Sequence, residues 1–161
     1  MGGNLGDMSA TLESAFAALT QLPNSRLLRR SSLYRTPAWG PIAQPDFLNA
    51  VALIETELVP DALLAHLLGI ERSHGRERGD ARWGPRTLDL DLLVHGDHVV
   101  DHDGLKLPHP HLHERAFVLV PAAEVAPDTL VPGRGRIDAL LAALDCSGIE
   151  RVENYQPIDN S

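Results

Sequence analysis

Residues 82–94 read Arg82-Trp83-Gly84-Pro85-Arg86-Thr87-Leu88-Asp89-Leu90-Asp91-Leu92-Leu93-Val94. The prediction of the fold starts from the pattern in this stretch. From Leu88 onward, apolar and acidic residues alternate, which is the period of a β-strand whose two faces differ. The leucines are predicted to face a core. Asp89 and Asp91 are predicted to lie side by side on the opposite face of a strand that runs from Leu88 to about Val94.

The two aspartates and the loop before them form a candidate phosphoryl-transfer site. Carboxylates this close repel each other unless a cation or a proton lies between them. Two such oxygen ligands on one strand face suit Mg2+, which completes its coordination with waters and substrate phosphates. The loop adds guanidinium groups, which match phosphate oxygens in pairs: Arg76, Arg78, Arg82 and Arg86. A solvated edge strand with a salt-bridged loop is the alternative, and the arginine-rich turn favours the phosphoryl-transfer interpretation.

Composition narrows the class of protein and the class of ligand. A length of 161 residues fits one domain, residues 1–161, with a core of useful size. The net charge of -8 argues against a general nucleic-acid binder, which needs a basic surface. The cations are nevertheless clustered, because five of the arginines lie between Arg72 and Arg86. A local basic patch on an acidic protein suits a small anionic ligand.

The cysteine content and the hydropathy pattern bear on the compartment. Cys146 is the only cysteine, so the chain has no internal disulfide and a reducing cytoplasm is expected. No stretch has the apolar length needed to cross a bilayer, and the first residues show no signal pattern. We therefore expect a cytoplasmic monomer that acts on small molecules, without a nucleic-acid or membrane partner.

The chain in order predicts an α+β fold. Helices are predicted after Asp7 up to Pro23, from Pro60 to Gly75, and over 136–144, and 117–120 is a short strand or the start of a helix. Strands are predicted over 26–34, 47–58 and 88–94, and a Gly96-Asp97 hairpin turn leads to a strand over 98–101. The tail from Glu150 onward is polar and is expected to be loosely held. Strands joined in sequence and flanked by helices predict a mostly antiparallel sheet.

Several residues outside the central stretch have two interpretations. Trp39, in a proline-rich loop, either closes over a ligand or covers the core. Phe47 and Asn49 share one strand face, where an aromatic ring beside an amide suits a flat heterocycle or reflects ordinary packing. Glu71 is either a solvated charge or a partner for the arginines that follow it.

Two short segments carry weaker signals. Residues 1–7 are rich in glycine but lack the end of a phosphate-binding P-loop, so a turn into a helix is favoured. His109, His111 and His113 could bind Zn2+, but Pro110 interrupts any regular strand there, and solvated histidines are favoured.

The stretch from Arg82 to Leu93 resembles the signature of the 6-hydroxymethyl-7,8-dihydropterin pyrophosphokinases. The likeness extends over nearly the whole chain, through Gly2-Gly3-Asn4-Leu5, Tyr34-Arg-Thr-Pro, Gln44-Pro-Asp-Phe-Leu-Asn49, Leu107-Pro-His109 and Arg115-x-Phe117. It implies a ferredoxin-like α+β fold with three α/β/α layers. It also implies transfer of the β,γ-diphosphate of ATP to the hydroxymethyl group of the reduced pterin, which releases AMP in folate biosynthesis.

The resemblance also implies roles for individual residues. Asp89 and Asp91 would hold two Mg2+ ions that bridge the triphosphate, and one ion would orient the attacking hydroxyl. The implied catalytic arginines, which neutralise charge as the bond to AMP breaks, are Arg76 and Arg86. The implied pterin residues are Thr36, Trp39, Phe47, Asn49 and Phe117, with the two phenylalanines sandwiching the ring. The implied ATP-side residues are Glu71, Arg78, Trp83, His109 and Arg115. No side chain stands out as a general base, and metal activation of the hydroxyl can suffice.

The sequence departs from the family pattern at three places. Gly3 replaces a serine, and Pro110 replaces an aromatic residue beside His109. The chain also starts at the glycine turn, where the family has an apolar strand before it. The expectation is that the true start lies upstream or that the copy is damaged, with reduced stability for the chain as written.

Three other functions remain open from the sequence. A truncated, inactive remnant of the same family would bind a pterin or nucleotide without producing AMP. A nucleic-acid binder that uses the arginine loop is disfavoured by the net charge. A metallohydrolase that uses the histidines would need tightly bound zinc.

Overall fold

A computed structural model describes residues 1–38, 40–75, 87–152 and 158–161. Within these ranges the chain forms four α-helices: α1 (Met8–Leu19), α2 (Pro60–Ser73), α3 (Ala116–Val125) and α4 (Ile137–Ala142). The strands of the same ranges are β1 (Gly2–Gly3), β2 (Ser25–Arg30), β3 (Tyr34–Thr36), β4 (Phe47–Asn49), β5 (Ala52–Thr56), β6 (Val100–His102), β7 (Leu105–Leu107), β8 (Leu130–Val131), β9 (Gly135–Arg136), β10 (Glu150–Arg151) and β11 (Ile158–Asp159). A 3-10 helix spans Leu112–Glu114.

All described strand pairs are antiparallel, which confirms the predicted combination of helices with antiparallel strands. A four-stranded sheet has the order β1-β4-β3-β10, and a three-stranded sheet has the order β11-β2-β5. Two further hairpins pair β6 with β7 and β8 with β9.

The two longest predicted strands are each broken where the chain passes from one sheet to the other. The predictions of continuous strands over 26–34 and 47–58 are therefore wrong in extent. Ser31 explains the break, because its backbone N–H donates to the Val51 carbonyl (2.9 Å) and its hydroxyl accepts from the Val51 N–H (2.9 Å). The Ser31 hydroxyl also donates to the carbonyl of Ser32 (2.7 Å). Serine hydroxyls compete for backbone groups in this way and interrupt a regular ladder.

Helices α1 and α2 follow their local signals. The Asp7 carboxylate accepts from the backbone N–H of Ala10 (3.1 Å), which caps the first turn of α1. Helix α1 ends at Leu19, before the predicted boundary at Pro23. Helix α2 has Pro60 in its first turn, and Gly75 follows it with a φ of 78°, a conformation that glycine adopts without strain.

The segment 87–94 is extended but is a strand only at one bridge, so the prediction of a regular strand over 88–94 is wrong. Asp89 exchanges two backbone hydrogen bonds with Gly2 (3.0 and 2.7 Å). The next N–H, of Leu90, donates to the carboxylate of Glu71 (2.7 Å), which replaces a strand partner. The predicted alternation of buried and exposed side chains is confirmed over 88–91, because Leu88 and Leu90 are buried whereas Asp91 is exposed.

The Gly96-Asp97 turn forms as predicted, but the strand after it has a different partner. The N–H of His98 donates to the His95 carbonyl (3.0 Å), which closes the turn. Strand β6 then pairs forward with β7 through a turn at Gly104, which has a φ of 100°. The buried leucines of β7 supply the apolar side of this hairpin.

The C-terminal part of the chain agrees with its prediction in part. Residues 117–120 belong to helix α3, which confirms the helical one of the two predicted alternatives, whereas α4 is shorter than the predicted helix over 136–144. The tail beyond Glu150 is not loosely held in its described residues, because β10 pairs with β3 and β11 pairs with β2. Both are two-residue edge strands with exposed side chains, so no apolar pattern in the sequence marks them.

Two apolar clusters form the core. The first packs α1 and α2 against the sheets around fully buried residues: Leu12, Phe16, Leu33 and Leu88. The second packs α3 and α4 around another set: Leu112, Leu119, Val131 and Ile137. No helix of the described ranges is long and apolar enough to span a membrane.

A cavity of about 560 Å³ lies between β5 and the extended segment 90–95. Its lining is mostly aliphatic and comes from both apolar clusters, with Ile54, Leu67, Leu93 and Val125 among the contributors. Met1 also lines it. The cavity is therefore a cleft with a mostly apolar base, and it is open to solvent where the exposed residues Asp91, Asp97 and His98 line it.

Candidate active site

The strand register brings the predicted pterin residues and the first aspartate onto one sheet face. Across the four-stranded sheet Tyr34 pairs with Asn49, Asn49 pairs with Gly2, and Gly2 bridges to Asp89. Side chains of directly opposed residues in antiparallel strands share a face. Asn49 and Asp89 therefore lie on the same side, with only a glycine between them.

Position 2 has no room for a side chain, because the Asn49 side chain occupies the space where a Cβ atom would lie. A Cβ built at Gly2 would lie 2.5 Å from the Asn49 Oδ1 atom and 3.1 Å from the Leu48 carbonyl. The glycine-rich opening, which the sequence favours as a turn into a helix, thus also contributes a short strand under the site.

Asn49 and Thr36 are coupled directly. The Asn49 Nδ2 atom donates to the Thr36 hydroxyl (3.1 Å), and Thr36 is buried opposite Phe47 in the β3–β4 ladder. This bond fixes the rotamer of the amide, which retains further donor and acceptor capacity for a ligand. Thr36, Phe47 and Asn49 are thus three of the predicted residues that the structure brings together.

Asn4 is a site-supporting residue that the sequence interpretation did not single out. Its Nδ2 atom donates to the Gln44 side chain (2.9 Å) and to the Pro45 carbonyl (2.9 Å), and its side chain is buried. These bonds anchor the end of the proline-rich loop just before Phe47. Its place in the glycine-rich opening was the only available sequence signal.

Phe117 lies in the first turn of α3, and that helix packs on β3 and β4. The Arg115 guanidinium lies 5.8 Å from the centre of the Phe117 ring. Phe47 and Phe117 are both half-buried, on elements that contact each other. The arrangement is compatible with two rings that face a common ligand.

The acidic part of the site has a buried support. Glu71 is buried, and one of its oxygens accepts from the N–H of Leu90, between the two aspartates. Asp89 is half-buried and Asp91 is exposed. Burial lowers the pKa of the Met1 amino group, while the negative charges of Asp91, Asp89 and Glu71 act to raise it. Because the two aspartates offer carboxylate oxygens and Asp91 is exposed, the chemistry of this pair suits Mg2+ with its remaining ligands from waters and substrate phosphates.

His109 lies beside the acidic segment. Its backbone N–H donates to the carbonyl of Leu93 (2.8 Å), which lies two residues after Asp91 in the chain. Burial lowers the pKa of His109, Asp91 opposes this effect, and the positive charge of Arg115 adds to it. His109 thus lies within reach of the charges of both Asp91 and Arg115, next to the end of the extended segment.

The other two predicted histidines share Glu114 as a partner. His111 contacts its Oε2 atom (3.1 Å), and His113 contacts its Oε1 atom (3.4 Å) as well as Arg134 (2.7 Å). In the ranges that the structure describes, no three side chains of metal-ligating type come close enough to hold an ion together. The predicted site residues Trp39, Arg76, Arg78, Trp83 and Arg86, and the loop of 76–86 that carries four of them, lie outside the described residues.

Comparisons with known proteins agree on one family. The family model described as 7,8-dihydro-6-hydroxymethylpterin-pyrophosphokinase matches residues 1–127. Three curated relatives carry the name 2-amino-4-hydroxy-6-hydroxymethyldihydropteridine pyrophosphokinase. The protein of Methylorubrum extorquens is 49% identical over 153 residues, which are 95% of this chain and 96% of the relative. The Pseudomonas aeruginosa protein is 45% identical over 94% of this chain and 93% of the relative, and the Synechocystis protein is 43% identical over 92% and 76%.

Proposed function

The chain belongs to the 7,8-dihydro-6-hydroxymethylpterin-pyrophosphokinase family, and from this premise we propose how its residues carry out the reaction. The reaction transfers the β,γ-diphosphate of ATP to the hydroxymethyl group of 6-hydroxymethyl-7,8-dihydropterin and releases AMP, in folate biosynthesis. The observation that supports the assignment of sites most is the row Tyr34–Asn49–Gly2–Asp89, because it puts a heterocycle-binding amide and a carboxylate on one sheet face.

Asp89 and Asp91 are proposed to hold two Mg2+ ions. The ions would neutralise the triphosphate and lower the pKa of the attacking hydroxyl. Glu71 supports this role, because its bond to the Leu90 N–H fixes the backbone between the two ligands. We therefore place Glu71 behind the aspartates, where it orients them from the ATP side.

The pterin is proposed to lie between Phe47 and Phe117, with its edge against Asn49. The bond from Asn49 to Thr36 orients the amide before the ligand arrives, so little rotamer entropy is lost on binding. Trp39 is proposed to close over the ring.

The ATP side is proposed to consist of His109 and Arg115 together with Arg78 and Trp83. His109 and Arg115 support this proposal because the charges of Asp91 and Arg115 both act on the His109 ring. Arg76 and Arg86 are proposed to neutralise the charge that develops as the bond to AMP breaks. Since in-line phosphoryl transfer depends on positioning and charge neutralisation, the protein has little covalent work to do.

We extend the proposal to the whole molecule. The sheets and helices are taken as a ferredoxin-like arrangement of three α/β/α layers in one domain over residues 1–161. The protein is proposed to act as a cytoplasmic monomer on ATP and the reduced pterin, without a nucleic-acid or membrane partner.

The test is AMP release from ATP and Mg2+, with and without the pterin, by the wild type, Asp89→Ala and a control, Asp97→Asn in the exposed turn. We expect pterin-dependent AMP from the wild type and the control, and a loss of about 10³-fold or more in Asp89→Ala, since a metal ligand is removed. Folded wild-type protein that binds the pterin but releases no AMP would favour the inactive remnant instead.

A further inference from the structure

The carboxylate of Glu124 collects three donors at the junction between β2 and β3. Its Oε2 atom accepts from the Ser32 backbone N–H (3.0 Å) and from the Tyr34 hydroxyl (2.7 Å). Its Oε1 atom accepts from the Ser32 hydroxyl (2.7 Å). Ser32 is completely buried, and its hydroxyl also accepts from the Arg151 Nε atom (2.9 Å). Both carboxylate oxygens of Glu124, on α3, thus accept hydrogen bonds from the start of β3 and the residue two positions before it.

The hydrogen bonds to Glu124 lie where the backbone N–H of Ser32 has a side-chain acceptor in place of a strand partner. At the crossing from one sheet to the other, Ser31 bonds to Val51, whereas the Ser32 N–H is met by Glu124. A buried N–H without an acceptor costs roughly 1–3 kcal/mol, so this carboxylate determines where β3 can begin. Strand β3 then carries Thr36, and it pairs with the strand that carries Phe47 and Asn49.

The same helix face carries one of the two rings that are proposed to hold the pterin. Phe117 and Glu124 are seven residues apart, close to two helical turns, so both side chains leave α3 on the same side. Glu124 therefore couples the helix that carries Phe117 to the sheet that carries Phe47. The length of its side chain sets how closely these two elements approach.

We propose that Glu124 is a positioning residue for the pterin, which sets the gap between Phe47 and Phe117 by holding α3 to Ser32 and Tyr34. This inference rests on the proposed function, because the gap matters only if a flat ring occupies it. Glu124 acts on the reaction through the two rings and has no contact of its own with the reacting atoms. A misplacement of about 1 Å can cost ~10²-fold in rate, so a small change in reach is enough to be measured.

Two variants separate the reach of the side chain from its charge. Glu124→Gln keeps the length, and its amide can face the Ser32 hydroxyl while its oxygen faces the Ser32 N–H and Tyr34. Glu124→Asp keeps the charge but shortens the reach by one methylene group. Thr56→Val is the matched control, because it removes the bond between the Thr56 and Ser25 hydroxyls (2.6 Å) at the far end of the β2–β5 ladder.

The KM for the pterin and the KM for ATP are measured for the wild type and the three variants, together with the thermal midpoint of each. We expect Glu124→Asp to raise the KM for the pterin by roughly tenfold and Glu124→Gln by less than about threefold, with the KM for ATP within about twofold. Thr56→Val is expected to lose stability without a change in either KM.

Equal effects of Glu124→Asp and Glu124→Gln, a parallel rise in both KM values, or the same rise in Thr56→Val would overturn the positioning role while the function stands. A wild type that produces no pterin-dependent AMP would instead overturn the function and this inference together. Each result is therefore assigned to one proposal or to both.

An optical titration tests the contact itself without any activity. Burial, followed by the hydrogen bond to Glu124, raises the pKa of Tyr34 to about 12. In Glu124→Gln, which lacks the negative charge, the pKa of the Tyr34 phenol is expected to fall toward its ordinary value of about 10. Subtraction of the Tyr34→Phe titration isolates this phenol, and an unchanged pKa would contradict the contact.

Discussion

Asn49 lies between two neighbours that restrict its side chain from opposite sides. On one side its amide donates to Thr36, and on the other its Oδ1 atom lies over the bare backbone of Gly2. One orientation satisfies both neighbours, so the donor and acceptor of the amide point to a fixed place before a ligand binds. The same glycine bridges to Asp89, so a disturbance at Gly2 reaches both halves of the site.

Gly2→Ala is expected to weaken pterin binding by roughly tenfold and to lower the free energy of unfolding by about 1–3 kcal/mol, as overpacking does. The added Cβ at 2.5 Å would displace the Asn49 amide from Thr36. Pterin binding by calorimetry and denaturant unfolding measure the two effects.

The matched control is Gly69→Ala in helix α2, where the nearest atom to a new Cβ is the Arg72 Nη2 atom at 3.8 Å. It is expected to leave binding unchanged and to stabilise the protein by up to about 1 kcal/mol, because alanine is the better helix former. If Gly2→Ala binds the pterin with wild-type affinity, the prediction that Asn49 requires a glycine at position 2 is wrong.

At the scale of elements, the sequence predicts the helices better than the strands. Apolar residues at helical spacing and the cap at Asp7 suffice to place α1 and α2. Strand limits depend on distant partners: the 26–34 strand breaks because Ser31 bonds to Val51, and Leu90 has the Glu71 carboxylate in place of a ladder.

The sequence suggests the residue types of the candidate site, whose ligand roles stay a prediction, but not the residues that hold them in place. The alternation of leucine and aspartate suggests the two carboxylates, and the two-residue spacing of Phe47 and Asn49 on one strand suggests the ring and the amide. Asn4 and Glu124 act through partners 41 and 92 residues away in the chain, and no local pattern reports such contacts.

Strand β11 offers a test of an element that the sequence predicted to be loose. Deletion of residues 158–161 removes its pairing with β2, the bond from the Asn160 N–H to the Leu28 carbonyl (2.6 Å), and the Arg29–Asp159 ion pair (3.2 Å). The deletion is expected to lower the free energy of unfolding by roughly 2 kcal/mol and to increase self-association, because it bares the edge of β2. Denaturant unfolding and light scattering measure these effects, and an unchanged midpoint and mass would contradict them.

The same strand gives a pH dependence with a defined sign. Hydrogen bonds from Ser161, followed by the bond from Arg29, lower the pKa of Asp159 to about 2. A lowered pKa means that the stabilisation is present above the ordinary value of 3.8 and is lost as the pH falls from there toward 2. The wild type is therefore expected to lose more stability than the deletion variant over this interval.

At the scale of the whole molecule, the two apolar clusters leave a cleft between strand β5 and the extended segment 90–95. The cavity of about 560 Å³ runs between β5 and the segment that carries the two aspartates, with aliphatic residues from both clusters around it. Leu90 lines this cavity, and its N–H donates to Glu71. The acidic segment is thus held at this point both by a hydrogen bond and by the burial of Leu90 in the core.

The apolar base of this cleft is incompletely packed, so hydrostatic pressure is expected to act on the fold. Unfolding under pressure eliminates such packing defects, and we expect a volume change within the usual range, about 20–100 mL/mol in magnitude. Ala52→Val, which adds two methyl groups at the cavity wall, should reduce that volume change, as followed by NMR at rising pressure. A variant as pressure-sensitive as the wild type would show that the space does not control the response. If it does, moderate pressure will collapse the wall behind Asp91 and abolish phosphoryl transfer before the rest of the protein unfolds.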